Sequence, residues 1–173
     1  NDGNGNDSGH VRIFRNEAVT LSGTTIAASV LNALENNTPG IINASSVMTI
    51  MGTAADINTA YTLGKITGLD NKAITLDDTT IAASVLNTFN SKTTGTIDAS
   101  NVATITGEAA DIKTAYTSSG ITGLDDSAVT ISDTHTLSQL KAINNATSGT
   151  ITLNTYSEDL SGSASDITAA LAA

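Results

Sequence analysis

The residues able to do chemistry are few, and their spacing decides what they could do. His10 and His135 are the only histidines, and neither has a His, Cys or Glu partner at metal-ligand spacing. The absence of cysteine removes disulfides and thiolate metal sites. Serine and aspartate are so frequent that a Ser/His/Asp set could be drawn from almost any stretch, so none is singled out as a nucleophile. No GxGxxG, phosphate-binding loop or nucleophile elbow is present. What does recur is a carboxylate at Asp56, Asp111 and Asp166, every 55 residues. A carboxylate returning at the start of successive helices reads as a cap on free N–H groups rather than an acid–base pair. The expectation is a chain that is not an enzyme, with no catalytic residue and no cofactor-binding residue.

A repeat positions these carboxylates. An apolar residue followed by Asn or Asp closes a hydrophobic run at Ile42-Asn43, Leu69-Asp70, Ile97-Asp98, Leu124-Asp125 and Leu153-Asn154, with Arg15-Asn16 as a degenerate first copy. The Asx positions lie 27 to 29 residues apart, a period that marks a solenoid. A longer repeat overlies it. Asn16 to Leu21 returns as Asn71 to Leu76 and as Asp126 to Ile131, and Ile26 to Asn32 recurs unchanged as Ile81 to Asn87. Each 55-residue unit splits into two related halves, one with a longer helix and one with a shorter.

Within a half the apolar period changes. Val19-Thr20-Leu21 and Met48-Thr49-Ile50 read as strands, while Ile26, Val30, Leu31 and Leu34, or Ile57, Ala60 and Tyr61, have helical spacing. Thr53-Ala54-Ala55-Asp56 reads as a capping box, and a glycine turn then leads into a second strand. The fold expected is an α/β class, a β/α solenoid of ~27-residue strand-helix-strand coils with parallel sheets and a row of short helices. Residues 1–15 form a polar loop plus a capping or donor strand, and 16–173 form the solenoid, in units 16–70, 71–125 and 126–173. Asn16, Asn43, Asp70, Asp98, Asp125 and Asn154 are expected to stack as an Asx ladder. Thr20, Thr49, Thr75, Thr104 and Thr130, each between apolar neighbours, are expected to form an outward threonine ladder.

Composition narrows the partners. Aromatics make up 3% of the chain, so the core must be built from Ala, Val, Ile and Leu in thin layers. Seven Lys and Arg against 17 Asp and Glu leave a net charge of −10, which repels nucleic acid and anionic membranes. No run of 18 apolar residues is present, so no membrane insertion is expected. The chain opens at Asn1 without a Met, as a processed product or a fragment would.

The polar, glycine-rich stretch Asn1 to Gly9 and the alternating strand His10 to Asn16 resemble the loop and strand of FG-GAP (integrin-α-type propeller) repeats in large bacterial surface proteins. Related loops in that family hold calcium. The resemblance implies Asp2, Asn4, Asn6 and Asp7 as a calcium set, although no Glu follows to complete an EF-hand-like loop; the other reading is a solvated tail. Residues 16–173, in phrases such as Asp78 to Asn87 and Gly107 to Ile112, resemble the Thr- and Ala-rich tandem repeats of giant secreted proteins of aquatic bacteria, cyanobacteria included. That resemblance implies a non-enzymatic structural protein, secreted and placed at the cell surface. Flat threonine ladders on β-solenoids are similar to the faces of ice-binding proteins.

The two ends are complementary in sequence. His10 to Asn16 resembles a second strand with no helix before it, and Tyr156 to Ala173 supplies a first strand and a helix with no second strand after it. Unpaired solenoid ends are adhesive edges. Head-to-tail assembly into a filament or surface layer, the amino-terminal strand completing the last coil of another copy, is one expectation. The other is that residues 1–15 cap their own first coil. The alternative function is a binding module: a calcium-dependent adhesin, an ice-binding surface, or a protein that meets surface glycans.

Overall fold

The structure is a computed structural model that describes residues 18–154 and 163–171. The chain is an α/β solenoid. Short helices α1 (Ala28–Asn37), α2 (Ala54–Thr62), α3 (Ala83–Lys92), α4 (Ala109–Thr117), α5 (Leu137–Asn144) and α6 (Ala164–Leu171) form one wall. Parallel strands of two to four residues form the other. They are β1 (Val19–Thr20), β2 (Thr25–Ala27), β3 (Ile42–Asn43), β4 (Thr49–Gly52), β5 (Ile66–Thr67), β6 (Ala73–Leu76), β7 (Thr80–Ala82), β8 (Ile97–Asp98), β9 (Thr104–Gly107), β10 (Ile121–Thr122), β11 (Ala128–Ile131) and β12 (Ile151–Leu153).

Among the described residues the strands form three parallel sheets, in the orders β1-β3-β5, β2-β4-β6-β8-β10 and β7-β9-β11-β12. Their inward residues make three aliphatic ladders. Ile26, Ile50, Ile74, Ile97 and Ile121 stack in one; Ile81, Ile105, Val129 and Ile151 in another; Val19, Ile42 and Ile66 in the third. Ile42, Ile50, Ile74, Ile97, Ile105 and Val129 are fully buried. Burial of each such side chain is worth about 1.5–3 kcal/mol, enough to offset the ordering of about one or two residues. The helices close the core with Leu31, Ile57, Leu86, Phe89, Ile112, Leu140 and Ile143.

Rungs do not follow the 27-residue period. Stacked residues lie 22 to 24 positions apart, as in Thr25 with Thr49 and Val129 with Ile151. The helices begin at 28, 54, 83, 109, 137 and 164, steps of 26 to 29. The difference is taken up by an extra strand. Two strands lie between α1 and α2, but three (β5, β6, β7) between α2 and α3. The middle one, β6, pairs with β4 of the preceding coil and β8 of the following one, while β7 opens the next sheet. Ile74 and Ile81 are seven residues apart, as are Val19 and Ile26, so each 55-residue unit holds two rungs of 24 and a sideways step of seven.

Two helical assignments therefore change. Ile26 and Ile81 belong to β2 and β7, ahead of α1 and α3, because β-branched Thr-Ile favours the pleat and finds a rung partner in Ile50 or Ile105. Val30 points outward and is 48% exposed, while Ala28 and Leu31 turn inward. At the corners, Gly68 and Gly123 adopt φ of +81° and +82°. A Cβ there would lie 3.1 Å from the Ser45 nitrogen and 2.6 Å from the Ser100 nitrogen of the preceding coil. Only glycine lets the turns approach that closely.

Candidate functional site

The expected ladders break up under the 24-residue register. Asn43 lies between Thr20 and Thr67, and Asp98 between Thr75 and Thr122. Neither has an Asx neighbour on its rung, which corrects the expected column there. Their side chains act locally instead: Asn43 Oδ1 accepts the Ser45 N–H at 2.9 Å and Asp98 Oδ1 the Ser100 N–H at 3.0 Å, the Asx turn that suits this residue type. Asp70 and Asp125 lie in the other kind of corner, closed by the Lys72 N–H on the Leu69 carbonyl and the Ser127 N–H on the Leu124 carbonyl. The Asn154 N–H bonds the Ile131 carbonyl. Asn16 lies outside the described residues, as do Asp2, Asn4, Asn6, Asp7 and His10.

The threonines regroup in the same way. Thr20 faces Asn43, Thr49 sits between Thr25 and Ala73, Thr75 between Met51 and Asp98, and Thr104 between Thr80 and Ala128. The longest threonine column is Thr106, Thr130 and Thr152. Its hydroxyls are partly engaged, since Thr106 Oγ1 donates to the Ile81 carbonyl at 3.4 Å.

Polar side chains join coil to coil. Asp78 Oδ2 accepts the Ala54 N–H at 2.6 Å and Asp133 Oδ1 the Ala109 N–H at 2.7 Å. Each carboxylate caps the helix of the coil before it, where unpaired N–H groups and the helix dipole favour negative charge. Asn32 and Asn87 donate to the Asp56 and Asp111 carbonyls at 3.1 and 3.0 Å. Buried Thr93 and Thr147 clip the Lys72 and Ser127 carbonyls at 2.6 and 2.7 Å. Lys72, itself buried, sends its Nζ to the Ser45 carbonyl at 2.9 Å, and Ser127 in the same place donates to the Val102 carbonyl at 2.6 Å.

The capping box at Thr53 forms in part. Thr53 Oγ1 accepts the Asp56 N–H at 3.2 Å, and its hydroxyl donates to Asp56 Oδ2 at 3.1 Å. At α4 the cap residue Glu108 makes no side-chain cap, and Asp133 meets the helix start as Asp78 does at α2. A complete box stands at Thr136 and Gln139, with bonds of 2.8 and 3.2 Å. Its Thr-x-x-Gln spacing was open to reading in the sequence.

His135 is buried where the preceding unit has the inward Ile81, and its Nε2 has no hydrogen-bond partner. Its Nδ1 lies 3.4 Å from the Asp133 carbonyl. Among the described residues no three His, Cys, Asp or Glu side chains gather as a metal site. Glu35, also buried, accepts the Lys65 N–H at 3.2 Å through Oε1, and Oε2 is unpaired. Tyr61 and Tyr116 reach across to the Leu69 and Ser127 carbonyls. Burial pushes both phenols above their usual 10.0; hydrogen bonds from Thr93 and Thr147 work the other way, and the charges of Asp70, and of Asp125 with Asp126, add to the rise.

No described helix is long and apolar enough to cross a membrane. Comparison with family models, curated proteins and solved structures gave no match.

Proposed function

We propose that this chain is a non-enzymatic structural module, secreted or displayed at a cell surface, whose work is to hold and extend its own stack. It builds a filament, a surface layer or an adhesin stalk by end-to-end self-association. One observation carries this reading: the polar side chains with long-range partners spend them on the backbone of the adjacent coil, as Asp78, Asn87, Thr93 and Ser127 do. The donor strand expected at 10–16 lies outside the described residues, so the reading rests on the stack alone. Sedimentation and negative-stain microscopy of the purified chain test it. Polymers of uniform width are expected; a monomer at every concentration would sink it.

A second reading, an ice-binding face, draws on the column Thr106, Thr130 and Thr152. Ala128 interrupts the neighbouring column of Thr80 and Thr104, and a hydroxyl bonded to backbone has less to offer ice. Thermal hysteresis in the purified chain would favour this reading; unshaped ice crystals would remove it.

A further inference from the structure

The helix row contains a template for contact between copies. Helices α2 and α3 meet less closely than α1 and α2. Between them lies a groove of about 280 Å³, lined by Ala54, Ala55 and Asn58 on one side and Val85, Thr88 and Phe89 on the other. The 55-residue repeat places Ala164, Ser165 and Thr168 of α6 where α2 has its three lining residues. It likewise places Val30, Ala33 and Leu34 of α1 where α3 has Val85, Thr88 and Phe89. The first and last helices of the described row thus carry the counterparts of the two sides of the α2–α3 junction.

Exposure agrees. Val85 is partly covered beneath α2, whereas Val30, the same residue one unit earlier, is 48% exposed. Ala164, Ser165 and Thr168 are exposed as well. All six residues are uncharged, in a chain whose net charge of −10 makes copies repel elsewhere. The α6 side is small and the α1 side aliphatic, so the larger residues can seat on the smaller ones as they do across the internal groove.

We propose that α1 of one molecule docks on α6 of a second copy, repeating the α2–α3 junction between chains. This contact rests on the end-to-end reading above and names its surface. The test uses two variants of the whole chain, Val30→Cys and Ser165→Cys, purified separately and mixed under oxidising conditions. Because the native chain has no cysteine, every disulfide reports a chosen pair. The mixed dimer should exceed either homodimer by about tenfold or more, since docking raises the local thiol concentration. A mixed dimer no more abundant than the roughly twofold excess that random coupling of an equal mixture gives, or no dimer, would overturn the contact. In parallel, Val30→Asp, at an exposed site, should keep its circular dichroism and melting curve yet lose polymers. Polymers from Val30→Asp without the mixed disulfide would sink this contact and leave end-to-end assembly standing. A wild-type chain that stays monomeric would end both.

Discussion

Along the strand wall, neighbouring coils meet every 22 to 24 residues through parallel rungs, whereas along the helix row the same coils meet at steps of 26 to 29. Strand pairing is quantised: a slip of one residue would turn an Ile ladder outward and threonines inward. Helices have no such lock. They tolerate a loose junction between α2 and α3 and a one-residue loss before α5, where His135 stands in for isoleucine. Register is fixed in the strand wall and variation is allowed in the helix row, so partner contacts are to be sought among helices.

Substitutions on the two walls should separate them. Ile74→Ala, in a fully buried rung shared by two coils, should cost about 2–5 kcal/mol in urea titration. A loss under 1 kcal/mol would put the decisive packing elsewhere. Gly123→Ala should cost about 1–3 kcal/mol, and more than Gly68→Ala, because its new Cβ would lie closer to the neighbouring turn. Equal melting temperatures for the two would contradict that order. On the helix side, Asp78→Ala should cost only about 1 kcal/mol, the worth of one cap, and Asp133→Ala a similar amount.

The last effect is set by pH. Tyr61 and Tyr116 titrate higher folded than unfolded, so below pH 10.0 both states hold the proton and the stabilisation is complete. Above it the unfolded chain releases protons first, and stability falls as pH rises through the folded values. The Tyr61→Phe, Tyr116→Phe double variant should flatten that alkaline decline; an unchanged decline would assign it to other groups.

The strand–helix alternation and the 55-residue unit could be read from the sequence. The rung register could not. Sequence repeats count residues along the chain, whereas rungs count hydrogen bonds across it, and the seven-residue step hides inside the longer period. Ile26 and Ile81 were ambiguous because Ile-Ala-Ala-Ser-Val fits either a helix face or a strand leading into a helix. Asp78 and Asp133 recur plainly, but their partners Ala54 and Ala109 lie 24 residues upstream, beyond any local motif. The caps that could be inferred were those whose partner is three residues away.

The sideways strand has a consequence for long arrays. Each further unit of the same kind would open one more strand column beside the last, as β7 does after β6, so the sheets of a chain of many units would overlap like shingles.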